Sequence, residues 1–171
     1  MPEFTTPDGI IYPVPTDPIE PLNAIFQDLA QSTQDAIVNR IPVEWESWVP
    51  TYQNFSPADG AVEALYAKIG KTIYGIYTIS FGPNTAMGSD PKISMPEPAE
   101  SGCLTVGQLR VSNANGSSVF RGTVNVDVDS FCPRLFGVSG NFITETAITA
   151  SVPFTWAPDF NLGFYFLYEA E

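Results

Sequence analysis

The sequence predicts a mainly β protein: an antiparallel β-sandwich of jelly-roll type, preceded by a proline-rich arm and one short helix. Three observations predict it. From Trp45 onward, runs rich in β-branched and aromatic residues alternate with Pro, Asp and Gly clusters, and no helical period intervenes. Ser118 to Asp129 alternates cleanly, with Phe120, Val124, Val126 and Val128 on one face and Arg121, Thr123, Asn125, Asp127 and Asp129 on the other. Helical apolar spacing is confined to the stretch from Leu22 to Arg40. Short strands at this spacing, without helices between them, make sandwiches or jelly rolls.

In chain order, residues 1–21 form the arm. Six prolines, at positions 2, 7, 13, 15, 18 and 21, block helix and central strand alike and favour extended backbone. Phe4, Ile10, Ile11 and Tyr12 give this arm apolar side chains that want a surface, either a neighbouring subunit or the arm's own domain. Residues 22–41 are the helix, ended by Pro42. Leu22, Ile25, Leu29 and Ala36 fall at a/d-type spacing, and Ser32 and Asn39 continue the seam. A helix this short, with polar seam positions, is marginal alone and must pack on its own β-domain or on copies of itself.

Residues 42–171 are the head. Trp45, Trp48 and Tyr52 alternate imperfectly in its opening strand, so at least one of them faces outward or into a subunit interface. A turn at Ser56–Gly60 leads to a strand from Val62 to Ile69, a tight Gly70-Lys71 corner, and an apolar strand from Thr72 to Phe81. Pro83 to Pro98 reads as a long loop with at most a short strand near Ile93. Gly102 to Val111 and Phe142 to Val152 read as further strands, with turns at Asn113–Gly116 and Gly137–Asn141. The last strand, Leu162 to Tyr168, is apolar on both faces, so it is either central or covered by another chain.

Composition narrows the function. Seven basic residues against nineteen acidic give a formal charge of −12, which opposes a nucleic-acid footprint, since phosphate neutralisation needs clustered Lys and Arg. No stretch approaches the roughly 20 apolar residues that span a bilayer, so no membrane insertion is expected. The opening MPEFTTPDG has neither a basic region nor an apolar core, so no signal peptide is expected either.

The chain has no histidine, which removes the commonest general base and metal ligand. No phosphate loop, dinucleotide fingerprint, nucleophile elbow or zinc-ligand spacing is present. The carboxylates Asp127 and Asp129, on one face of a strand and about 6–7 Å apart, are the one pair that could serve a glycosidase or a calcium site. Their neighbours Arg121, Thr123 and Asn125 fit a merely solvated face better. The expectation is a protein without an enzymatic reaction, cofactor or metal.

Several stretches carry a resemblance. WESWVPTY and YAKIGKTIYGIYTISFG, then VPFTWAPDFNLGFYFLYEAE at the end, resemble the head domain of minor tail and fibre proteins of tailed bacteriophages. TTPDGIIYPVPTDPIEPLNAIFQDLAQSTQDAI resembles the proline-rich leader and short helix of the same proteins. The resemblance covers both ends and the core strand pair; the middle matches in texture only.

It implies a homotrimer whose parallel helix bundle is seamed by Leu22, Ile25, Leu29, Ser32 and Ala36. It also implies a virion structural protein, assembled in the host cytoplasm, whose arm docks on other virion proteins through Phe4, Ile10, Ile11 and Tyr12. Cys103 and Cys132 would then remain thiols. The expected role is host-surface attachment, with a cell-surface glycan as partner, met by the Pro83–Pro98 loop and the turns at Asn113–Ser117 and Gly137–Asn141. A head fibre or capsid-decoration protein is built on the same plan. A monomeric carbohydrate-binding module explains the head but leaves arm and helix without purpose.

Overall fold

The head is organised by its longest ladder. Ala61–Ile69 and Thr72–Ser80 pair residue for residue around a two-residue corner in which Gly70 takes the positive φ, 62°, that such corners require. The computed structural model describes residues 4–5, 11–12, 22–40, 44–100, 105–127, 129–140 and 142–171. They fall into two compact units, Met1–Val43 and Glu44–Glu171.

In the first unit, β1 (Phe4–Thr5) pairs antiparallel with β2 (Ile11–Tyr12), and α1 spans Leu22–Arg40. Within α1, Leu29 is half-buried, and Ser32 and Thr33 both donate their hydroxyls to its carbonyl, at 2.9 and 2.8 Å. Such back-bonding lets polar side chains sit in a helix interior without leaving a donor unpaired. Phe26, one position from the expected seam, is 60% exposed. Of the expected seam, the side chains of Leu22, Ile25 and Ala36 lie outside the described residues, as do those of Phe4, Ile11 and Tyr12 in the arm and the whole of Ile10.

The second unit is one hydrogen-bonded, ten-stranded sheet. Its strands are β3 (Glu46–Ser47), β4 (Tyr52–Ser56), β5 (Ala61–Ile69), β6 (Thr72–Ser80), β7 (Ala86–Ser94), β8 (Thr105–Ser112), β9 (Val119–Asp127), β10 (Ser130–Ser139), β11 (Phe142–Ala147) and β12 (Asn161–Glu169). The spatial order is β3-β5-β6-β12-β8-β9-β10-β7-β4, all antiparallel, with β11 added beside the second half of β10. The mainly β, antiparallel reading holds. What was expected as two stacked sheets is a single sheet curled into a half-barrel.

Aromatic contacts across the interior show the curl. Phe131 on β10 meets Phe166 and Phe164 on β12 with ring centroids 4.5 and 5.3 Å apart, although β8 and β9 separate those strands in the sheet. Tyr77, Ile73, Ile79, Leu162, Val111 and Val124 complete a layer from which water is excluded. The segment after β11 covers one end, where Trp156 stacks on Phe81 at 4.6 Å and donates its indole N–H to the Thr149 carbonyl at 2.8 Å.

Two strands depart from expectation, and both contain proline. β7 occupies most of what read as a loop from Pro83 to Pro98, and β10 was not expected at all. In β7, Pro91 falls in the stretch where the β4 ladder shifts register between Gln53 and Phe55, so its missing N–H costs no ladder bond. In β10, Pro133 sits after the two residues that pair with β7 and before those that pair with β11. Proline is tolerated at such a change of partner, and its presence hides the strand from a composition reading. β11 is also shorter than the expected Phe142–Val152, because Ile148 leaves the ladder to enter the core.

The remaining expectations divide. β12 is central, between β6 and β8, and its inner residues Leu162, Phe164, Phe166 and Tyr168 are buried while Tyr165 and Leu167 are exposed. Trp45 is the outward residue of its trio, edge-on to Tyr74, whereas Trp48 and Tyr52 pack on the core. Phe120 was expected inside but is 37% exposed, held edge-on against Phe154.

Candidate ligand groove

The outer face of the central strands carries a groove of about 550 Å³. It begins with the β8–β9 hairpin. The Asn113 side chain accepts from the Ser118 backbone N–H at 3.0 Å and donates to the Ser117 hydroxyl at 2.9 Å, while the Gly116 N–H donates to the Asn113 carbonyl. This six-residue turn fixes the register that follows: Ser112 opposite Val119, and Arg110 directly opposite Arg121.

β12 lies on the other side of β8, placing Gly163 opposite Arg110 and Tyr165 opposite Gln108. β6 closes the far wall with Thr78 opposite Gly163 and Ile76 opposite Tyr165. Period-two alternation sends all these side chains to the outer face while their neighbours fill the core. Gly163 is therefore a hole in the middle of a row, and the groove's floor is backbone. Asn161 forms one end, its amide oxygen accepting from the Ser80 hydroxyl at 2.8 Å.

Among the described residues three cations lack an acidic partner, and the groove holds two of them, Lys71 being the third. Lys68 pairs with Glu97 at 2.6 Å, Arg134 with Asp90 at 3.1 Å, and Lys92 with Asp127. Among the described residues, Arg110 and Arg121 have no carboxylate partner within ion-pair distance. Like charges directly opposite on a sheet destabilise it. Both are exposed, so water moderates that cost without abolishing it.

A second, polar recess of about 330 Å³ is lined by Thr51, Gln53, Lys92, Ser94, Asp127 and Asp129, among others. It corrects the expected carboxylate pair. β9 ends at Asp127, and Asp129 lies in the turn to β10, so the two are not on one strand face. Asp127 takes the Lys92 ammonium, and that hydrogen bond raises the lysine's pKa above its ordinary value. Asp129 offers its backbone carbonyl to the Met95 N–H at 3.0 Å. Among the described residues, no group of three or more Cys, Asp or Glu is arranged to hold a metal. No helix among them is long and apolar enough to cross a membrane.

The other expected contact surfaces are dispersed. The Asn113–Ser117 turn caps the groove's hairpin, and Gly140 follows Ser139 at the tip of the β10–β11 hairpin. That tip is apolar and exposed: Val138 is 82%, Phe142 76% and Ile143 76% accessible, with Phe136 behind them. Cys132 is a buried free thiol whose pKa is pushed up by desolvation, and Cys103 lies outside the described residues.

Sequence reading passed over the arginine pair. Arg121 was placed on a solvated strand face, and Arg110 was not singled out. The signal lay in where the turn is centred: a connection symmetric about residues 115 and 116 sets 110 opposite 121, whereas the expected turn over 113–116 pairs 110 with 119. Compared with protein families, curated proteins and solved structures, the chain matches none.

Proposed function

We propose that this protein is a structural component of a tailed-phage virion, a minor tail or fibre protein whose head contributes to host-surface attachment. The observation that carries this reading is the division of the chain. A small unit containing a proline-rich leader and one helix precedes a separate β head, and the head leaves an apolar hairpin uncovered. The resemblance of the leader, the β5–β6 pair and the closing strand to phage fibre proteins supports it from the sequence side.

In this reading the protein is a homotrimer. The β10–β11 hairpin supports that assignment, because β11 pairs with β10 alone among the described strands and the hairpin presents Val138 of β10 and Phe142 and Ile143 of β11 to solvent. An exposed apolar edge strand invites another chain. The α1 seam through Leu22, Ile25, Leu29, Ser32 and Ala36 is the second assembly surface, and the arm anchors the trimer to other virion proteins. Within the trimer the curled sheet acts as a sandwich-like body with its barrel-facing aromatics as core. A head-fibre or decoration protein anchored to the capsid is the second reading, favoured by the same division of the chain.

Attachment is tested with fluorescently labelled full-length protein and intact bacterial cells or purified cell-wall glycan. Saturable binding by the folded assembly supports attachment. No binding to any host that the particle infects transfers the protein to decoration.

A further inference from the structure

We infer that the outer-face groove between Arg110, Arg121 and Tyr165 is a binding site for an anionic saccharide, a sugar ring bearing a carboxylate or phosphate. This rests on the attachment reading for its biological setting, but the site's chemistry stands on the groove alone.

Two arginines face each other across β8 and β9 in a chain of net charge −12, where Lys68, Lys92 and Arg134 each have an acidic partner. Placing like charges opposite each other weakens the sheet unless an anion occupies the space between them. Two guanidinium groups side by side offer forked donors, which match the paired oxygens of a carboxylate or phosphate.

The rest of the groove suits a sugar ring. Tyr165 is 53% exposed and presents an aromatic face beside the charge. Ile76 extends the apolar wall, and Thr78, Gln108 and Asn161 supply hydroxyl and amide groups along it. Gly163 lowers the floor opposite Arg110 and Thr78, so a ring can approach backbone. About 550 Å³ is within the usual range of small-ligand sites, roughly 300–1,000 Å³, which combine apolar walls with a few polar groups. A nucleic acid would need a longer basic track than this pair provides.

The test is calorimetric titration of the full-length protein with four probes: a glucuronic-acid disaccharide, glucose 6-phosphate, neutral glucose and inorganic phosphate. Variants are Arg110→Gln, Arg121→Gln and Gly163→Ala. The added methyl of Gly163→Ala would meet Thr78 Cγ2 at 3.1 Å and raise the floor. One or both anionic sugars should bind at least about tenfold more tightly than glucose, and each arginine variant should lose about tenfold or more. The two anionic probes tell a carboxylate source from a phosphate source. Equal binding of inorganic phosphate and the sugars would mean an adventitious ion only and overturn the site. So would binding unchanged in both arginine variants, or no binding of any sugar by the folded protein, with circular dichroism checking the fold.

Cell binding separates this inference from the attachment reading. Cells bound equally well by Arg110→Gln and the parent leave attachment standing but move it off the groove, whose sugar binding the titration alone decides. Sugar binding without cell binding leaves the groove standing and overturns attachment.

Discussion

The indole Nε1 of Trp48 donates to the carbonyl oxygen of Ser94 at 3.3 Å, while the backbone N–H of the same tryptophan donates to Ala64 at 3.2 Å. Ala64 is on β5 and Ser94 on β7, near opposite ends of the curled sheet. One residue therefore spans the opening of the half-barrel, and its ring packs edge-on to Tyr66 and Phe166.

Trp48→Ala should destabilise the head by about 3 kcal/mol, since it removes a large half-buried ring and the closure together. Trp48→Phe keeps most of the packing and should cost about 1 kcal/mol for the lost hydrogen bond. Urea unfolding measures both: a Trp48→Phe variant as stable as the parent would mean that the indole bond contributes nothing, and equal losses in the two variants would mean that the ring's packing adds nothing to it.

Gly122→Ala should prevent folding outright. A Cβ there would stand 1.7 Å from the Arg134 carbonyl oxygen, which is backbone and cannot rotate away. Relief would require β9 and β10 to separate, breaking the ladder that carries Phe131 into the core. Soluble expression of the variant with the parent's thermal midpoint would show that the strands do not approach so closely.

Stability should fall at alkaline pH. Burial raises the Tyr77 phenol far above its ordinary value of 10.0, with the Tyr52 hydroxyl adding to the effect. The folded chain keeps the proton while the unfolded chain releases it above pH 10 or so. Stability is therefore unaffected by this group below that pH and declines above it. Tyr77→Phe should flatten the alkaline limb in a series of urea melts between pH 8 and 11. An unchanged limb would place the sensitivity elsewhere.

Much of the fold was legible because the chain's strongest patterns are local. The β5–β6 pair announced itself through its Gly-Lys corner, β9 through its alternation, and α1 through its seam and Pro42. β7 and β10 were illegible for a tertiary reason. Pro91 and Pro133 argue against a strand unless one knows that a bulge and a change of partner relieve them of hydrogen-bonding duty. The groove was hidden similarly, because a register between Arg110 and Arg121 depends on where the turn is centred, which composition does not specify. The shared strand face expected for Asp127 and Asp129 was lost at the same level: β9 ends at Asp127, although both residues line one recess.

Val138→Lys combined with Ile143→Lys should abolish assembly with little effect on the head. The two face each other across β10 and β11 at 82% and 76% exposure, so their replacement should change the head's own stability by less than about 0.5 kcal/mol. Multi-angle light scattering should give the parent three times the chain mass of 18.6 kDa and the variant a smaller species. A monomeric parent would remove the homotrimer from the account.

Whether the protein is part of a virion is read from electron microscopy of intact particles labelled with antibody against residues 44–171. Label should appear at a fixed position on the particle, at the tail tip or fibres if the protein serves attachment. Infected cells that contain the protein but yield purified particles free of it and unlabelled would mean that it is not a virion component.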